Sequence, residues 1–145
     1  MRKLLATVAG AVVMLALSIK ADEKPTEAYQ KAMQENLAAL KVARAAVKEL
    51  EDVGADVPDY MPFAEVTARM KTSFAVTVAY WQARKDDDAL KLARDGEKLV
   101  ADLETAAKDR DYRMVVDSLT SLDDTCTACH TAHRTRLADG PFAIK

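Results

Sequence analysis

From about Thr26 to Val53, Tyr29, Met33, Leu37, Leu40, Val47 and Leu50 recur at three- and four-residue steps. That spacing lines apolar side chains along one side of an α-helix. Gly54 and then Pro58 form a helix stop. A second run starts near Pro62, which suits a first helical turn, and continues through Phe63, Val66, Met70, Phe74, Val78 and Trp81. Asp86 to Asp88 offer an N-cap and favourable charge to a third helix, whose stripe is Ala89, Ala93, Gly96, Val100, Leu103 and Ala107. Asp111 can cap a fourth. Its stripe is Val115, Leu119, Leu122, Cys126, Cys129 or His130, and His133 or Leu137, and it should end before Gly140-Pro141. Strand signals, internal repeats and dividing linkers are absent from the pattern. Four helices, each of about 20 residues or more with short connections, predict an all-α fold, an antiparallel up-down-up-down bundle.

The first residues follow a different pattern. Met1-Arg2-Lys3 is basic, Leu4 to Ile19 carries no charge, and a polar run begins at Lys20. A charged start, a short apolar region and small residues before a polar segment predict a secretory signal peptide. The apolar run is shorter than the roughly 18–20 residues a membrane-spanning helix needs. Cleavage after Ala21 fits, with Ser18 as the neighbouring choice, and an uncleaved anchor or core helix is the alternative. The expected division is a signal peptide over residues 1–21 and one bundle domain over residues 22–145, placed in the periplasm without a membrane span.

Composition agrees with a single soluble domain: 145 residues, half of them hydrophobic, 30% charged, with four Gly and four Pro. The full chain has 21 basic and 23 acidic residues. Arg2, Lys3 and Lys20 leave with the signal and no acid does, so 18 bases face 23 acids, a charge of −5. A mildly acidic chain without a basic tract argues against nucleic acid or an anionic membrane as partner.

The only two cysteines lie in Cys126-Thr127-Ala128-Cys129-His130. Cys-x-x-Cys-His is the attachment pattern for c-type haem. Each thiol adds to one haem vinyl group, and the adjoining His130 becomes the proximal iron ligand. On a helix these three residues share one face, which continues the apolar stripe of the fourth segment. Two other readings remain. A dithiol redox site normally accompanies a βαβ pattern, which is missing here, and an exported chain can simply oxidise two cysteines. Neither needs a histidine after the second cysteine. Zinc requires four ligands, and two Cys with two His on one short segment supply them poorly.

A Cys-x-x-Cys-His on the last helix of an exported four-helix bundle resembles the class II cytochromes c, the cytochrome c′ family. That family often carries an arginine four residues after the haem histidine, where Arg134 stands. The resemblance implies one covalent haem c; Arg134 then either pairs with a propionate or is an ordinary solvated arginine. His133 occupies a place where the family often has an aromatic residue, and the connection between the second and third segments is short. Those departures bear on the pocket edge and on any dimer interface.

The sixth iron position separates electron transfer from gas binding. Measured from the shared bundle end at 1.5 Å per residue, the haem motif lies about 25 Å down the fourth helix and Met33 about 30 Å down the first. Met70 is only about 12 Å along, Met61 sits at the opposite end, and Met114 shares a helix with His130. Met33 therefore becomes the expected distal ligand, and Gln30 to Asn36 resembles the first-helix segment of low-spin family members. The competing reading makes Met33 a packing residue, since methionine fills irregular gaps well. Phe74, Val78, Trp81, Ala93 and Gly96 are expected pocket walls, with Gly96 admitting close contact, though generic helix packing also accounts for them. His133 is expected at the surface or beside a propionate.

The expected function is one-electron transfer between exported redox proteins by a monohaem cytochrome, monomeric or homodimeric, with iron held by His130 and Met33. No side chain acts as an enzyme's acid or base. The alternative is a five-coordinate, cytochrome c′-like protein that binds nitric oxide or carbon monoxide.

Overall fold

A computed structural model of the protein describes residues 23–52, 58–138 and 142–145. The expected signal peptide over 1–21, the stop at Val53-Gly54 and the Gly140-Pro141 pair lie outside them. Four helices follow in order: α1 Glu27–Asp52, α2 Met61–Arg84, α3 Asp87–Lys108 and α4 Tyr112–His133. Their lengths are 26, 24, 22 and 22 residues. Among the described residues, none is long and apolar enough to cross a membrane.

Local chemistry sets the helix starts. Asp86 Oδ1 accepts from the Ala89 amide at 3.1 Å, and Asp111 Oδ1 accepts from the Met114 amide at 3.0 Å. Both aspartates satisfy a backbone donor that the first helical turn would leave unpaired. Lys85 adopts a left-handed conformation (φ 56°), so the chain reverses between α2 and α3 within two residues.

Each helix packs against the next in sequence, and α1 and α4 also touch. Side-chain bonds fix the directions. Arg84 donates to Glu23 just before α1 and Arg69 to Glu35 at 3.0 Å, while Arg44 Nε donates to Asp123 at 3.0 Å and Tyr112 to Glu51 at 2.7 Å. Numbers rise on one helix as they fall on its neighbour, so adjacent helices are antiparallel. The result is the expected four-helix bundle.

The larger core cluster joins Phe63, Val66 and Met70 of α2 with Val100 and Leu103 of α3 and Val115 and Leu122 of α4. The α1 contribution differs from its apolar stripe. Its buried positions run through Ala39, Ala43 and Ala46 beside Leu40, whereas Leu37 is 52% exposed. A second cluster lies toward the other end and gathers Tyr29, Trp81, Ala89, Ala93 and Ile144.

Beyond the helices the expectation fails. Helix α4 ends at His133, and two three-residue strands follow, β1 Arg134–Arg136 and β2 Phe142–Ile144, paired antiparallel with Thr135 opposite Ala143. Ile144 also exchanges two backbone bonds with Glu23, at 3.0 and 2.9 Å. Burial of Ala143 and Ile144 favours this hairpin over a longer helix. Lys145 completes it: its amide donates to the His133 carbonyl at 3.1 Å and its Nζ to Thr131 at 3.0 Å. Those are carbonyls that the end of α4 would otherwise leave without a partner.

Candidate functional site

Two adjoining cavities separate α1 from α4 along the half of the bundle that contains the hairpin. The outer one, about 290 Å³, is lined by residues that include Lys24, Gln30, Trp81, His133, Arg134, Phe142 and Ile144. The inner one, about 80 Å³, is walled by Leu37, Leu40, Phe74, Thr77, Ala93 and Cys126 among others. Tyr29, Met33, Cys129 and His130 line both, so the two spaces form one slot.

The slot has two unlike walls. On α4, three- and four-residue spacing turns Cys126, Cys129 and His130 toward it. On α1 the same spacing turns Tyr29, Met33 and Leu37 toward it. Of the four methionines among the described residues, Met33 alone lines the slot. Met70 is fully buried in the larger core cluster, and Met61 and Met114 are exposed.

Burial governs titration here. Loss of hydration pushes the Cys126 and Cys129 thiols up to about 11, with the carboxylates of Asp123 and Asp86 adding to the shift in turn. Both cysteines are free. A disulfide oxidoreductase needs the reverse, a thiol whose acidity is enhanced. Burial, and then the charge of Arg134, lowers the pKa of His130, favouring the neutral imidazole that ligates metals. Burial also raises Tyr29 strongly, keeping its hydroxyl protonated.

Three expected wall residues are placed as expected: Phe74 and Ala93 line the inner cavity and Trp81 the outer. Val78 and Gly96 line neither. Val78 packs against the Trp81 cluster. A Cβ at Gly96 would stand 2.7 Å from Cζ of Phe74, so the glycine makes room for that ring rather than for a ligand. His133 is not a surface residue. Its side chain is 14% exposed, Nδ1 lies 3.5 Å from Asp86, and its ring centroid is 5.4 Å from that of Trp81. Its Nε2 is buried with no protein partner, at the outer cavity. Arg134 lies across the Phe142 ring, 3.8 Å from its centroid, and lines the outer cavity.

Sequence reasoning named Tyr29 and Leu37 as packing and missed Asn36, Thr77, Phe142 and Ile144. Tyr29 was within reach, one helical turn before Met33; the hairpin residues carried no periodic signal.

The slot between α1 and α4 is largely apolar. It brings two thiols and an imidazole on the α4 wall opposite a thioether on the α1 wall, with His133 Nε2 and the Arg134 guanidinium at its outer end. Among the described residues no three His, Cys, Asp or Glu side chains converge to hold a bare metal ion. No known protein family, curated protein or solved structure matches this chain.

Proposed function

We propose that this protein is a monohaem c-type cytochrome that carries single electrons between exported redox proteins, as its resemblance to the low-spin class II cytochromes c implies. The observation that carries this reading is the pairing of walls: Cys126, Cys129 and His130 on α4 face a slot that Met33 lines from α1. Haem c suits these residues. Cys126 and Cys129 would hold it covalently, His130 would supply the proximal nitrogen and Met33 the distal sulfur. The unpartnered His133 Nε2 and the Arg134 guanidinium stand at the end suited to its propionates.

Bound haem supplies the exchange of one electron at iron between ferric and ferrous states. The protein's own part is static. Phe74, Leu40 and Ala93 give the inner cavity an apolar lining, and burial favours the neutral His130, which presents a lone pair. With haem bound, the Met33 thioether would favour the ferrous state and raise the reduction potential.

Protein purified from a host that matures c-type cytochromes should be coloured and should keep its haem through acid–acetone extraction. Quantitative loss of haem would overturn the proposal. Its spectrum should be low-spin, and Met33→Ala should shift it toward high spin, open it to carbon monoxide and lower the potential. Met70→Leu should leave the spectrum unchanged, because Met70 does not line the slot. A high-spin, five-coordinate spectrum in the unaltered protein would instead make nitric oxide or carbon monoxide binding the function.

A further inference from the structure

Buried polar groups in folded proteins almost always have a partner, so an orphaned one asks what it binds. Trp81 is wholly buried and lines the outer cavity, yet its indole Nε1 has no protein partner. His133 Nε2 is the other such atom at that cavity. The two rings are neighbours, with centroids 5.4 Å apart, and Tyr29 meets Trp81 edge-on from α1 with centroids 5.8 Å apart. Burial keeps the Tyr29 hydroxyl in its protonated, donating form. Trp81 Nε1 stands near enough to that oxygen to act on its charge, but forms no hydrogen bond to it. Three helices thus bring donors to one corner of a cavity that, among the described residues, no carboxylate lines. Asp86 stands behind the corner. Its Oδ1 caps α3, and its Oδ2 lies beside Nδ1 of His133, the nitrogen on the other side of the ring from Nε2.

We infer that this corner is a carboxylate receptor built on Tyr29, Trp81 and His133, and that a haem propionate occupies it. The inference rests on the haem reading above and names the side chains that hold one end of the cofactor. An indole N–H can only donate, and an ionised carboxylate can only accept, with two oxygens to share among the donors. Water fits less well, because it would bring protons of its own to a corner already short of acceptors. His133, with Asp86 beside Nδ1, donates through Nε2 while both ring nitrogens carry protons, and its charge then lies between two carboxylates. Arg134 lies across the Phe142 ring and supplies charge. Trp81 and Tyr29, both packed in the smaller core cluster, supply direction.

Two spectroscopies read this corner in the ferrous, haem-loaded protein. Resonance Raman spectra contain propionate bending bands, which move when a hydrogen bond to the carboxylate is lost. Trp81→Phe and Tyr29→Phe should each shift such a band. Tyr80→Phe, in the same aromatic cluster but off the cavity, should leave it in place. Tyr29→Phe removes a single oxygen, so it reads the receptor even where the larger substitution fails to fold. The chain has one tryptophan, which makes its indole N–H cross-peak in isotope-labelled protein unambiguous. That peak should exchange slowly with solvent and stay fixed during titration with sodium acetate, because the receptor is already filled. Bands that stay unmoved in both the Trp81 and Tyr29 variants overturn the receptor and leave the cytochrome reading intact. A cross-peak that moves to saturation with acetate overturns the propionate as occupant and assigns the corner to free carboxylates. Colourless protein overturns the haem reading itself, and the propionate with it.

Discussion

Cys126 and Cys129 bind their protons more tightly when folded than when unfolded, because the packed slot strips water from the thiolate. Unfolded thiols ionise near 9.0 and the folded ones near 11. A cofactor-free protein should therefore lose stability as pH rises through this interval, where only the unfolded chain sheds the protons. Sulfurs converted to thioethers have no proton to lose. Thermal unfolding from pH 9 to 11 should fall more steeply for the cofactor-free chain than for its Cys126→Ala, Cys129→Ala variant. Parallel curves would show that the thiols are not desolvated. Gly96 offers a second residue-scale test. Alanine would gain about 1 kcal/mol of helix propensity, but its methyl would meet the Phe74 ring, and overpacking of this kind costs about 1–3 kcal/mol. Gly96→Ala should lower stability in urea unfolding, and adding Phe74→Leu should restore most of the loss. A stabilised single variant would contradict the assigned contact.

Helix starts are the part of the fold that the sequence announces most openly. A capping aspartate acts on amides two or three residues away, so Asp86 and Asp111 mark α3 and α4 without help from the rest of the molecule. Asp111→Ala should cost about 1 kcal/mol, read as a lower urea midpoint at unchanged slope. An unchanged midpoint would mean that its bond to Met114 contributes nothing. Other elements depend on distant partners. The buried side of α1 passes through Ala39, Ala43 and Ala46, whose methyls barely alter a hydropathy pattern, so the larger Leu37 misdirected the reading. The hairpin is harder still, since three residues contain too few alternations to show a period of two. It exists because Ile144 finds Tyr29 and Trp81, contacts more than 60 residues away in sequence. The candidate site divides in the same way. Cys126, Cys129, His130 and Met33 could be read from local spacing and helix rise, whereas Phe142, Ile144 and the buried setting of His133 come from tertiary packing.

At the scale of the whole molecule, the hairpin fastens one end of the slot. Ile144→Ala should cost about 2–5 kcal/mol, as large-to-small changes in a core do. It should also speed hydrogen exchange at the Glu23 and Ile144 amides, which bond each other's carbonyls, while leaving α2 and α3 protected. Uniform loss of protection would mean that the hairpin is part of the bundle's cooperative core rather than a separate fastening. Three of the bundle's four seams are bridged by the connection between consecutive helices. The α1–α4 seam is the exception, a free edge like the open side of a book. Spreading it stretches no connection between consecutive helices; among the described residues it would part the apolar packing of Leu40 and Ala43 against Leu119 and Leu122 and break two sets of bonds, Glu23 with Ile144 beyond the slot and those from Arg44 and Tyr112 at the other end.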